Sequence, residues 1–169
     1  MHKILYVINS LNIGGAEINL LNTIEEISKR KGYLVDLFLF ELDRSSFSEN
    51  NINGINHLFI SKYKLKNIIN ILYLRKILKN NDYDIIHSHL FPANYFAILA
   101  GIFIQKKIYY FTTIHSSYNK RRNNFLISSI DRLIFRKYDY ILSVSSEVES
   151  NVKKHLSKRG KLNKLPHFI

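Results

Sequence analysis

Short hydrophobic runs alternate along the chain with segments in which hydrophobic residues recur every three or four positions. Residues 3–9 and 33–40 are runs of the kind found in buried parallel strands. Between them, Leu20 and Ile24 belong to a helical repeat that predicts a helix over about 16–31. The chain therefore opens as a β-α-β unit.

The same alternation continues to the end of the chain. Further strands are predicted over 57–60, 84–87, 107–114, 139–144 and 164–169, and further helices over 64–80, 92–103, 123–137 and from 146 onwards. Strands that alternate with helices through short connections require a parallel sheet covered on both faces. We therefore predict one Rossmann-like α/β domain over 1–169, with helices on both faces of its sheet.

The residues that follow the predicted strands are where a parallel sheet binds ligands. Gly14, Gly15 and Glu17 lie between the first strand and the first helix. Glycines let a ligand approach the backbone closely, and a helix N-terminus offers N–H groups to an anion. The dinucleotide and P-loop fingerprints are absent, so a tight turn with Glu17 complementing the helix dipole is the simpler alternative.

Three histidines end neighbouring predicted strands. His87 and His89 close one strand, and His115 closes the next. Imidazoles are common metal ligands, but no Asp or Glu stands beside them in sequence to complete a metal site. We therefore expect no metal, hydrogen bonding of a substrate by His89 and His115, and a core position for His87. Asn94, at the same strand end as His89, and Ser145, at a further strand end, are also substrate-binding candidates.

The charge of the chain is strongly positive, with a formal net charge of +12. A field of that sign attracts phosphate groups and anionic lipid. Lys120, Arg121 and Arg122 follow His115 and suit a phosphate, although a solvated cationic face explains them equally well. No nucleic-acid-binding signature accompanies them, so nucleic acid is not an expected partner.

The predicted helix 64–80 is apolar on two opposite faces. Leu65, Ile68 and Leu72 share one face, and Leu74 and Leu78 lie on the other. One face must cover the sheet, which leaves a neighbouring helix or an anionic membrane surface as the partner of the other. The chain has no cysteine, no signal-peptide pattern and no apolar run near 20 residues. We expect it to be cytoplasmic, either free or at the inner face of a membrane.

Five short motifs in a fixed order resemble the retaining glycosyltransferases of family four, which have the GT-B fold. The motifs are ILYVINSLNIGGAE at 4–17, YDIIHSH at 83–89, TIH at 113–115, DYILSVS at 139–145 and LPHFI at 165–169. Two positions depart from the family pattern. Ile18 stands where many members have arginine, and His167 replaces the usual asparagine.

The resemblance implies half of a two-domain enzyme. In that family the N-terminal Rossmann-like domain holds the acceptor, and a second domain, absent from this chain, binds the nucleotide-sugar donor. Gly14 and Gly15 would lie near the donor phosphates and the acceptor, and His115 would be the catalytic residue beside the transferred sugar. The chemistry needs no cofactor and no essential metal, and this half alone would be inactive.

The prediction is thus the acceptor-binding half of a glycosyltransferase that extends a glycan or a lipid-linked acceptor, in the manner of capsule or lipopolysaccharide synthesis. One alternative is a non-catalytic cationic module that docks on membrane lipid or on a partner subunit. A less favoured alternative is a histidine-metal hydrolase.

Overall fold

In a computed structural model that describes residues 1–12, 14–42, 52–116, 124–157 and 167–168, seven parallel strands form one sheet. Five helices connect them in these residues. In chain order the elements are β1 His2–Ile8, α1 Gly15–Ser28, β2 Tyr33–Leu39, β3 His57–Ile60, α2 Ile69–Asn80, β4 Ile85–His89, α3 Ala93–Gly101, β5 Tyr109–Ile114, α4 Phe125–Phe135, β6 Tyr140–Ser143, α5 Ser146–Ser157 and β7 His167–Phe168.

The strand order is β3-β2-β1-β4-β5-β6-β7, with every neighbouring pair parallel. The chain starts in the middle of the sheet, builds outwards to β3, and then crosses back to β4 on the other side of β1. This reversal is the Rossmann-like arrangement, in which ligands bind beside the strand where the order turns. The predicted fold class is confirmed.

Helices cover both faces of the sheet, but unequally. Because parallel crossovers are right-handed, the connection from β1 to β2 and those beyond β4 fall on opposite faces. Leu20 and Ile24 of α1 pack with Tyr6 on one face. On the other face, Leu74 of α2 and Ala97 of α3 share a core cluster with strand residues, and α4 and α5 extend this layer over β6.

The start of α2 differs from the sequence prediction. The helix begins at Ile69 rather than at residue 64. The side chain of Asn70 donates to the carbonyl groups of Lys64 and Leu65, at 2.9 and 3.2 Å. A buried asparagine thus stabilises a turn ahead of the helix, because short polar side chains compete with helical backbone hydrogen bonds.

The second apolar face of α2 is exposed. Ile68 and Leu72 are 73% and 60% exposed, and no described helix covers them. Helix α4 carries a similar surface, in which Leu126, Ile130 and Leu133 are each at least half exposed. Their i, i+4, i+7 spacing aligns them on one side of the helix, and we call them the α4 apolar strip. Within the described residues, no helix has the length and hydropathy needed to cross a bilayer.

Candidate functional site

The carboxyl ends of β1, β4 and β5 lie side by side at one edge of the sheet. Helix α1 begins beside them, with Glu17 in its first turn. His89 is the last residue of β4, and His115 directly follows β5. The sheet therefore brings together residues that are about 100 positions apart in sequence.

The three histidines at the predicted strand ends, His87, His89 and His115, form a row of contacting rings from the sheet interior to its carboxyl edge. The His87 and His89 rings are stacked, with centroids 4.5 Å apart. His87 Nε2 lies 2.8 Å from the Thr113 hydroxyl oxygen, which anchors the inner end of the row. His89 Nδ1 lies 3.2 Å from His115 Nε2, so that the row ends at the half-buried His115.

Burial keeps these imidazoles neutral. Desolvation lowers the pKa of His87 to about 3, and it holds the pKa of His89 well below its ordinary value. The pKa of His115 is lowered for the same reason, although the negative charge of Glu17 opposes this shift. At neutral pH the row is therefore uncharged, and each ring has one donor and one acceptor nitrogen.

The His89–His115 hydrogen bond determines which nitrogen of His115 is protonated. His89 Nε2 is buried and has no hydrogen-bond partner in the described part of the chain. If His115 Nε2 were the donor, His89 Nδ1 would be the acceptor and the proton of His89 would lie on its Nε2. That buried N–H group would have no partner, which is costly. We therefore assign His89 Nδ1 as the donor, which leaves the proton of His115 on Nδ1.

The glycine pair shapes the loop between β1 and α1. A Cβ at Gly14 would lie 2.5 Å from Glu17 Oε2, so the missing side chain lets this carboxylate fold back over the loop. A Cβ at Gly15 would meet nothing within 4 Å among the described residues. Helix α1 begins without a side-chain cap. Gly15 thus presents open backbone at a helix N-terminus, the setting in which anions bind.

Asn9 is a residue of this edge that the sequence analysis missed. Its side-chain amide donates to the Phe91 carbonyl oxygen at 2.8 Å, and its Oδ1 accepts from the Ala93 N–H at 3.2 Å. These two bonds fix the loop after β4 against the end of β1. An asparagine directly after a buried strand was the available signal, but its partners are more than 80 residues away.

Asn94 and Ser145 occupy positions of different character. Asn94 is buried in the first turn of α3, and its Oδ1 has no hydrogen-bond partner in the described ranges. Ser145 is exposed, and its hydroxyl oxygen accepts from the Val148 N–H at 3.3 Å. The Ser146-x-x-Glu149 spacing predicts a capping box with Ser146 as the cap of α5, but the structure makes Ser145 the cap, so this prediction is wrong by one residue.

Two further predictions concern a basic cluster and metal binding. Lys120, Arg121 and Arg122 lie outside the described residues. Among the residues that are described, no group of three His, Asp or Glu side chains is arranged to hold a metal ion.

The chain is thus an α/β protein that places three histidines and a glycine loop at the carboxyl ends of its parallel strands, where sheets of this kind bind ligands. Residues 13–169 match the family model described as Glycosyltransferase Family 4. The chain belongs to glycosyltransferase family 4. A search of curated protein sequences found no match.

Solved structures with the same fold are also glycosyltransferases. Anabaena Alr3699/HepE, solved in complex with UDP and glucose, matches all of this chain and 44% of its own, with a TM-score of 0.70 and 14% identity. The lipopolysaccharide outer core galactosyltransferase WaaB in its apo form matches 90% of this chain and 42% of its own, with a TM-score of 0.65 and 17% identity. A Rickettsia africae glycosyltransferase matches 94% of this chain and 39% of its own, with a TM-score of 0.65 and 21% identity.

The chain thus spans about two fifths of the length of these three structures. At such identities the likeness establishes the fold, which is the Rossmann-like α/β fold of GT-B glycosyltransferases.

Proposed function

We propose that this chain is the N-terminal, acceptor-side half of a retaining glycosyltransferase. A second domain would bind the nucleotide sugar and face the carboxyl edge of this sheet. The single observation that carries the proposal is the His115 imidazole, hydrogen-bonded to His89 and close to Glu17 at the start of α1. Family membership supports the transferase chemistry.

The proposed reaction breaks the bond between the sugar C1 and the terminal phosphate oxygen of the donor. The acceptor hydroxyl oxygen forms the new bond to C1, and its proton leaves with the nucleoside diphosphate. Negative charge develops on the leaving phosphate, and stabilising such charge is usually the largest catalytic contribution. The open backbone at Gly15 is suited to that phosphate, whereas Glu17 is suited to hydroxyl groups of a sugar.

We assign His115 to the transferred sugar. Its neutral ring offers one N–H, and the hydrogen bond to His89 orients that ring. A neutral donor can bind a sugar hydroxyl without carrying a charge that would repel the positive charge developing at C1. His89 acts through His115 and is a positioning residue in this scheme.

The acceptor is a glycan or a lipid-linked sugar of a bacterial-type surface polysaccharide. The galactosyltransferase WaaB, named for the lipopolysaccharide outer core, supports this class of acceptor, and HepE, solved with UDP and glucose, supports a nucleotide-sugar donor. The scheme needs no cofactor, no metal and no nucleic acid, and it places the protein in the cytoplasm, where nucleotide sugars are made.

The first test is calorimetry on the 169-residue chain with UDP- and GDP-sugars. We expect no tight binding, because most donor contacts belong to the other domain in this scheme. Activity assays of the same sample should detect no transfer. A dissociation constant below about 1 μM, equivalent to about 8 kcal/mol, would contradict an acceptor-side assignment.

A second candidate function is docking on anionic membrane, alone or alongside transfer. The observation that favours it is the α4 apolar strip, which is exposed on a chain of net charge +12. Exposed apolar groups combined with basic residues are the usual requirements for binding at an acidic lipid surface.

We expect the chain to sediment with vesicles that contain acidic phospholipid, and to release them as salt is raised. Each basic residue near such a surface contributes about 1 kcal/mol at low salt, and screening reduces this contribution. Leu133→Glu should weaken binding, whereas Ile18→Glu should not, because Ile18 is also at least half exposed but lies on α1, on the opposite face of the sheet. Equal binding to neutral vesicles, or none to either kind, would remove this candidate.

A further inference from the structure

An apolar groove runs between α3 and α4, outside the histidine row. Tyr95, Phe96 and Leu99 of α3 form one side, and Ile127 and Ile130 of α4 form the other. Its volume is about 380 Å³, within the range of small-molecule sites. The polar atom of Tyr95 is engaged, because its hydroxyl donates to the buried Asp131. The groove thus offers hydrocarbon contacts rather than hydrogen bonds.

One end of the groove adjoins the candidate site. Phe91 lines it, and this residue lies two positions after His89 in the loop that follows β4. The Phe91 carbonyl oxygen accepts the hydrogen bond from Asn9, at the end of β1. The same short loop therefore borders the sheet edge on one side and the groove on the other.

The charge at the groove is positive. Lys66 is the only ionisable lysine, arginine or carboxylate side chain among the residues described as lining it. The nearby Asp131 carboxylate is buried, accepts from the Tyr95 hydroxyl and lies 3.0 Å from His155 Nε2, so it is not exposed at the groove. An anionic group at the rim would therefore meet a cation without meeting an exposed carboxylate.

The groove also opens beside the exposed apolar surface of α4. Ile130 belongs both to the groove and to the α4 apolar strip, so the groove is continuous with the strip. This arrangement suits a long hydrocarbon chain that runs from the protein into a bilayer. It suits an extended peptide poorly, because the lining would leave backbone polar groups of the peptide unpaired.

We propose that this groove binds the hydrocarbon chain of an anionic amphiphile, with the acidic headgroup at Lys66. The inference rests on the proposed function and makes the acceptor a lipid-linked phosphate. The chain in the groove would hold the sugar of that acceptor near the carboxyl edge of the sheet.

The test is a calorimetric titration of monoalkyl phosphates into the 169-residue chain. Their concentrations are kept below those at which they form micelles. Binding should tighten about threefold to fourfold for each added methylene while the groove fills, since each buried methylene contributes a nearly constant amount. Inorganic phosphate should not bind detectably. Affinity that is independent of chain length would overturn the proposal.

Matched variants separate the groove from general hydrophobic adhesion. Ile130→Glu should weaken dodecyl phosphate binding at least about tenfold, because it puts a carboxylate in the groove. Leu133→Glu, the same kind of change on the same helix but outside the groove lining, should leave it unchanged. Lys66→Gln should weaken dodecyl phosphate but leave the uncharged dodecyl maltoside unchanged. Equal losses for Ile130→Glu and Leu133→Glu would overturn the groove assignment.

The transfer assay distinguishes this inference from the proposed function. If a two-domain protein containing this chain transfers sugar to a water-soluble acceptor, and the groove binds no alkyl phosphate, the inference fails while the function stands. If an amphipathic peptide helix binds the groove and excludes dodecyl phosphate, the groove is a protein-docking site and the lipid proposal is wrong.

Discussion

Replacing His115 with alanine is expected to lower kcat and kcat/KM together, by about 10²–10³-fold, in a two-domain protein that contains this chain. The reason is the loss of a neutral N–H donor that the His89 hydrogen bond orients at the sheet edge. An interaction made in the transition state affects both constants, whereas one that only binds the acceptor would raise KM. Steady-state kinetics with varied acceptor separate the two cases.

Two amide variants make this prediction specific to one nitrogen. Asparagine at position 115 keeps an N–H near the Nδ1 position, and glutamine keeps an acceptor near Nε2. Because we assign the substrate-facing proton to Nδ1, His115→Asn should retain more activity than His115→Gln. Near-normal turnover in all three variants would remove His115 from the site, and His89 would become the leading candidate.

The second large effect is expected at His87, and it concerns stability rather than catalysis. His87→Ala should lower the free energy of unfolding by about 1–3 kcal/mol at neutral pH, the usual range for a packing and hydrogen-bond defect. The side chain is 8% exposed, packs on Tyr6 and His89, and contacts the Thr113 hydroxyl. Urea denaturation measures the loss, and turnover per folded molecule should change much less than in His115→Ala.

The same residue should make the protein sensitive to acid. The folded pKa of His87 is lowered from 6.5 to about 3, so between these values the unfolded chain binds a proton that the folded chain does not. Stability is therefore fully present above pH 6.5 and falls as the pH decreases, by about 1.4 kcal/mol per unit for this group. When the pH falls from 7 to 5, the free energy of unfolding of His87→Ala should decrease by about 2 kcal/mol less than that of the parent chain. An equal loss in both proteins would show that His87 titrates normally.

The fold was predictable because hydrophobic periodicity identifies buried strands and amphipathic helices locally. β1, β2 and β3 begin or end within about one residue of their predicted bounds. The start of α2 was not predictable, because it depends on the buried Asn70 side chain and its contacts with the preceding turn. The cap of α5 is Ser145 rather than the predicted Ser146. The two adjacent serines offer the same chemistry, and the backbone geometry determines which one accepts the hydrogen bond.

The site was predictable only in part. The position of His89 and His115 at neighbouring strand ends follows from parallel topology, and the structure brings the two rings into contact. Their neutral state, the role of Asn9 and the groove beside Phe91 depend on burial and on loops far apart in sequence. The helical spacing of apolar residues predicted two apolar faces on α2. It could not distinguish a neighbouring helix from a membrane surface as the partner of the second face.

The most direct test of the central claim is a three-arm transfer assay with radiolabelled sugar nucleotide and a pool of membrane-derived acceptors. The arms are this chain alone, a donor-binding domain from a family-four relative alone, and the two fused with the donor domain after Ile169. An acceptor-side half predicts transfer in the fusion only, and loss of that transfer on His115→Ala. Transfer by the donor domain alone at the rate of the fusion, or by this chain alone, would contradict the account.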